Sequence, residues 1–123
     1  MKKGTGTLNG QSLTLYFPET EKEMTEGFDQ VEMAPNVGMV FRFDVDRAIP
    51  IVRKRDVVDV AWLYNDKVRS FCTLYGGVVA AVGDTVLELP MGWLSRFEIQ
   101  VGDRLGYTID GTGEKEEKEN NQE

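Results

Sequence analysis

Histidine is absent from this chain, and cysteine occurs once, at Cys72. Without an imidazole, no Ser-His-Asp or Cys-His nucleophile pair can form within the chain. Zinc sites built from Cys and His are excluded on the same ground. A single thiol cannot close an intramolecular disulfide, so the fold must be stable without one. That fits a reducing compartment. Nowhere does the sequence approach the ~20 apolar residues of a membrane-spanning helix. The N-terminus reads Met-Lys-Lys-Gly-Thr-Gly-Thr. It starts positive but no apolar segment follows, so no export signal is read there. Excess positive charge is lacking too. The net charge is −7, and residues 110–123 carry −4 of it, from six acids and two lysines. A mildly acidic body has no electrostatic footprint for nucleic acid or for an anionic membrane, and neither is expected as a partner.

What is present is a β pattern on a chain long enough for one buried core. Leu13-Thr-Leu-Tyr-Phe17 alternates and reads as a strand. Thr20 and Glu23 have capping-box spacing at the start of a short helix that frays near Gly27, with Met24 and Phe28 one turn apart. Strands follow at residues 39–43 and 49–52, with a turn between them at 44–47 and Pro50 marking an edge or a bulge. Residues 57–64 form the most continuous apolar run, expected to be a central strand, and Asn65-Asp66 turns it into residues 68–75. Gly76-Gly77 and Gly83-Asp84 punctuate two further strands, 78–82 and 85–89. Pro90 to Phe97 reads as a second short helix, and residues 104–109 as the last strand. Residues 110–123 have almost no apolar side chains and are expected to be a disordered acidic tail. The fold expected is mainly β, a single-domain β-sandwich or barrel of about eight short strands with two short helices. Its body spans residues 7–109, preceded by a flexible N-terminus at residues 1–6.

Few motifs carry chemistry. Gly4-Thr-Gly6-Thr-Leu-Asn-Gly10 has a phosphate-loop look, but it misses the dinucleotide spacing and lacks the P-loop lysine. It reads as a flexible entry segment. Arg53-Lys54-Arg55 is the body's basic cluster; it could hold a phosphate or an acidic partner, or be a solvated loop between strands. Asp44 with Asp46, and Asp56 with Asp59, do not show the cleft separation of an acid/base pair or the ligand run of a calcium loop. No metal or other cofactor is expected. Asp59 interrupts an apolar strand between Val58 and Val60. Pointing inward, its charge must be paired or hydrogen-bonded; pointing outward, it is ordinary alternation. The binding candidates are therefore Arg53, Lys54, Arg55, Asp56 and Asp59, with no catalytic set. Cys72 reads as a small buried hydrophobe. Trp62, Tyr64, Tyr75 and Trp93 could line a sugar-binding face or be core and half-buried strand residues.

Several segments, taken together, resemble one family. They are Thr20-Glu-Lys-Glu-Met24 with Gly27, Gly38-Met-Val-Phe41 with Phe43, Asp59 in its strand, Val86-Leu-Glu-Leu-Pro90 with Gly92-Trp93, and Ile99-Gln-Val-Gly-Asp103. They are similar to the family called domain of unknown function 192, over residues 13–109. The resemblance implies a small mainly-β sandwich or barrel and no established activity. It also implies relatives in bacteria, archaea and phages. The chain departs from the family where a Phe-Trp-Met-Lys-Asn segment leads to Pro-Leu-Asp; here Ile51 to Asp59 keeps only the aspartate. The family's Pro-Cys segment is also missing. Two functional classes follow. One is a non-catalytic binding or structural module with a protein partner or with itself, in a concrete form a capsid-decorating phage virion accessory, located in the cytoplasm or the virion. The other is a carbohydrate-binding module or degraded carbohydrate-active enzyme, resting on the aromatics with Asp56, Asp59 and Glu88.

Overall fold

The computed structural model describes residues 1–27, 34–53 and 57–111. Seven strands form one sheet in the order β5-β4-β6-β3-β2-β1-β7. The strands are β1 (Lys2–Leu8), β2 (Gln11–Phe17), β3 (Val37–Arg53), β4 (Val58–Tyr64), β5 (Lys67–Leu74), β6 (Gly77–Pro90) and β7 (Leu105–Ile109). The helices are α1 (Glu21–Glu26) and α2 (Trp93–Arg96). All neighbours are antiparallel except β2 and β3, which run parallel and are joined across α1. A parallel pair needs such a crossover. The mainly-β expectation is met by an open, strongly folded sheet rather than a closed barrel.

Three expectations need correction. The N-terminus is not a flexible lead-in: β1 pairs with β2 on one side and β7 on the other. Its glycines serve close approach, because a Cβ on Gly4 would collide with the Thr108 carbonyl. Asn9 and Gly10, both at positive φ (50° and 78°), make the two-residue turn into β2. Secondly, residues 44–47 do not separate two strands, and neither do Gly83-Asp84. β3 and β6 are each continuous, and residues 43–46 bulge out opposite Asp84 alone. Such a bulge bends the ladder without ending it. A Cβ on Gly83 would lie 2.6 Å from the Leu63 carbonyl oxygen, so only glycine lets β6 pass β4 at the bend. Thirdly, Pro90 does not open the second helix; it ends β6 opposite Val58. Residues 112–123, most of the expected acidic tail, lie outside the described residues, as does Phe28.

Both faces of the central strands are covered. Val40, Ala61, Leu63, Leu87 and Leu89 face a core shared with β1, β2, β7 and α2. Met39, Phe41, Val58, Val60, Trp62 and Val86 face a second core. This double burial explains why β4 reads as an uninterrupted apolar run. The bend puts a cover over the second core. Beyond the bulge, residues 47–53 of β3 and 77–83 of β6 form a two-stranded ribbon. Its Ile49 belongs to the second core, with Ile51, Val79 and Ala81 packed against it. The Trp62 indole N–H donates to the Ile49 carbonyl at 2.9 Å. A fully buried indole requires such an acceptor, and this one ties the ribbon to β4. At the other end of the crossover, the Thr20 hydroxyl and Glu23 carboxylate form the capping box read from the sequence.

Candidate functional site

Asp59 points inward and is almost fully buried. Its Oδ1 accepts from the Thr73 hydroxyl at 2.8 Å, and its Oδ2 accepts from the Leu94 backbone N–H at 2.8 Å. Leu94 lies in the first turn of α2, whose own N-cap is Gly92 and offers no side-chain acceptor. The carboxylate on β4 therefore supplies the cap that the helix lacks and fastens α2 to the sheet. Asp59 is thus engaged on both oxygens, and it positions the segment that carries Trp93.

Arg53 ends the ribbon. Its Nη1 stands 3.6 Å from Oε1 of Glu88, and both side chains are deeply buried. Removing one partner of such a pair leaves a desolvated charge, so the pair stays together. Lys54, Arg55 and Asp56 lie outside the described residues. The structure therefore places Arg53 and Asp59 in separate internal contacts and does not bring them together. Asp46 instead meets Arg69 at 3.0 Å on the surface.

The thiol of Cys72 is pushed up by burial and, secondarily, by the Asp59 charge nearby. That direction disfavours the thiolate needed for nucleophilic chemistry. Among the described residues, no group of three His, Cys, Asp or Glu side chains is arranged to hold a metal ion. The four aromatics do not make one platform. Trp62 and Trp93 are buried. Tyr64 and Tyr75 stand at opposite ends of the β4–β5 pair, with the Arg69 guanidinium 4.6 Å above the Tyr64 ring.

Two surfaces stand out. The first is the outward face of the ribbon. Its cross-strand pairs are Ala48 with Val82, Pro50 with Ala80, and Val52 with Val78. Every one of these residues is exposed and apolar. Val78 is 66% and Val52 56% exposed. The opposite face of the same ribbon covers the second core, so the ribbon is apolar on both sides. The second surface is a cleft of about 570 Å³ between α2 and the segment that enters β3. Pro35, Asn36, Met91, Trp93, Arg96 and Phe97 line it. The sequence contained the ribbon signal in the even-numbered residues 48, 50, 52, 78, 80 and 82. That signal is hidden while residues 49–52 and 78–82 read as short separate strands.

The family model for domain of unknown function 192, described as uncharacterized ACR, matches residues 4–107. The match begins within β1, ahead of the segments that carry the resemblance in the sequence. Solved structures with this fold include a protein from Sinorhizobium meliloti 1021 named as a candidate transcription regulator. It is 23% identical with a TM-score of 0.75, over 85% of this chain and 93% of that one. Another is a protein of unknown function from Novosphingobium aromaticivorans DSM 12444, 18% identical with a TM-score of 0.69, over 85% of this chain and 83% of that one. At these identities the likeness establishes the fold alone. No curated protein matches the chain.

Proposed function

The chain belongs to the domain-of-unknown-function 192 family, and from that premise we propose that it is a non-catalytic interaction module that binds a protein partner through the outward face of the β3–β6 ribbon. One observation carries this reading: three consecutive cross-strand pairs on a solvent-facing surface are all apolar. An antiparallel ribbon with one face on the core ordinarily alternates apolar-in and polar-out. Valine and alanine on the outer face do nothing for an isolated domain and favour burial against something else. The side chains are small, so the face is flat and uncharged. A partner that fits it presents a flat, uncharged apolar surface, because a charge set against it would be desolvated without a counterpart.

The non-catalytic part of the reading is supported by the absence of histidine, the structural use of Asp59 and the raised thiol of Cys72. DNA binding, which the name of the Sinorhizobium protein brings to mind, has no support in a chain of net charge −7. A virion accessory is one setting for such a module, with a capsid protein as the partner, and particle purification would then retain the protein. The test of the reading is quantitative co-purification from the native host with wild type, Val78→Asp, Val52→Lys and the control Thr7→Lys. A single partner retained by wild type and the control, and depleted at least about tenfold by both ribbon variants, supports the reading. The same set of proteins on all four sinks it.

A further inference from the structure

We propose that the cleft beside α2 is a binding site for a small, flat, apolar carboxylate such as an arenecarboxylate, separate from the ribbon face. The walls set the body of the ligand. Trp93 and Phe97 stand with ring centroids 4.7 Å apart and tilted by 55°, and Met91 and Pro35 complete an apolar surround. Met91 is 60% exposed, which is unusual for methionine on a folded surface and leaves its flexible side chain free to close over a ligand.

The polar groups set the other end. Arg96 is the cleft's charged lining residue, and no acidic residue lines it among the described residues. In a chain of net charge −7 this makes the cleft a local positive spot. The Arg96 guanidinium lies 5.1 Å over the Phe97 ring, on the aromatic wall of the cleft that both residues line. Asn36 is the second donor. Its Oδ1 already accepts the Trp93 indole N–H at 3.1 Å, which fixes the amide and leaves its nitrogen to donate. The side chains thus offer donors only, and the ligand must bring acceptors. A carboxylate matches a guanidinium fork in shape and charge. The volume is within the range of small-ligand pockets.

The site is tied to the structural role found for Asp59. That carboxylate caps α2 through Leu94, the residue that follows Trp93 in the first turn, and so holds Trp93 and Arg96 in register.

The test is a titration of the ¹⁵N-labelled full chain with 2-naphthoate, followed by amide shifts, with neutral 2-naphthamide as the matched probe. Saturable shifts confined to residues 34–36 and 90–97, and at least about tenfold weaker binding of the amide, are the expected result. Arg96→Gln, which keeps donors but not charge, weakens 2-naphthoate by about tenfold. Asn36→Asp, which keeps an acceptor for the Trp93 indole but adds a negative charge, weakens it as much or more. No saturable shift up to the solubility limit overturns the proposal. So do shifts that map elsewhere, equal binding of the amide, or wild-type affinity in both variants. None of these results bears on the ribbon face, which the naphthoate titration does not probe.

Discussion

β3 and β6 run side by side through two different environments. Below the bulge, Met39, Val40, Phe41, Val86 and Leu87 are apolar on both faces, and both faces are buried. Above it, residues 47–53 and 77–83 are again apolar on both faces, yet only the inner face is covered. The residue types on the outer faces of the two halves are alike; what differs is what lies over them. In the lower half the cover is β1, β2, β7 and α2 of the same chain. In the upper half no described element of the chain supplies it. An apolar outer face thus means core in one place and, under the function proposed above, a docking surface in the other, and only the fold distinguishes them.

The comparison breaks most visibly if the two halves respond alike to truncation. Leu87→Ala, in the covered half, should destabilise the chain by about 3–4 kcal/mol, because the site is fully buried and cannot collapse freely. Denaturant unfolding checks this. Asp59→Ala should cost about 2–3 kcal/mol, since the buried Leu94 N–H and the part-buried Thr73 hydroxyl lose their acceptor. Its signature beyond stability is faster amide exchange at Leu94 than at β4. Trp62→Phe removes the bond to Ile49 and should cost about 1–2 kcal/mol, with exchange accelerated in residues 47–53 before the lower half of β3. Val78→Ala, in the uncovered half, should change the stability of the isolated chain by less than about 0.5 kcal/mol. The smallest effect concerns pH and serves as an outlier to both halves. Backbone N–H groups of Glu19 and Thr20 hold the Glu23 carboxyl below the usual glutamate range. A depressed folded pKa gives stability that is present above the unfolded pKa and is lost as pH falls through the folded one. Glu23→Gln should therefore flatten the acid side of the stability profile without altering the ribbon.

Legibility followed the same division. The capping box, the strand expected at residues 57–64 and found at Val58–Tyr64, and the Asn65-Asp66 turn rest on local chemistry, and the sequence displayed each of them. β1 is hidden in the sequence although Asn9-Gly10 is a strong hairpin signal, because Gly4 and Gly6 look like a flexible segment until β7 is known to press against them. That contact joins residues about a hundred positions apart, and no local pattern reports it. The long strands β3 and β6 read as divided at residues 44–47 and 83–84 for a similar reason: turn-forming residues at a bulge look like turn-forming residues in a loop. Asp59 was legible as a choice between two orientations. Its resolution depended on Leu94 and Thr73, which periodicity does not bring near it. Of the candidate binding residues, Arg53 and Asp59 have structural partners, while the flat apolar ribbon face emerged only once β3 and β6 were in register.

The most direct test of the ribbon as a docking surface is site-specific photo-crosslinking in host cells, with the crosslinker placed at Ala80 and, as control, at Thr108. A discrete adduct from Ala80, absent from Thr108 and lost when Val52→Lys is added, is the result expected. No adduct from Ala80, or the same ladder of products from both positions, would contradict the account.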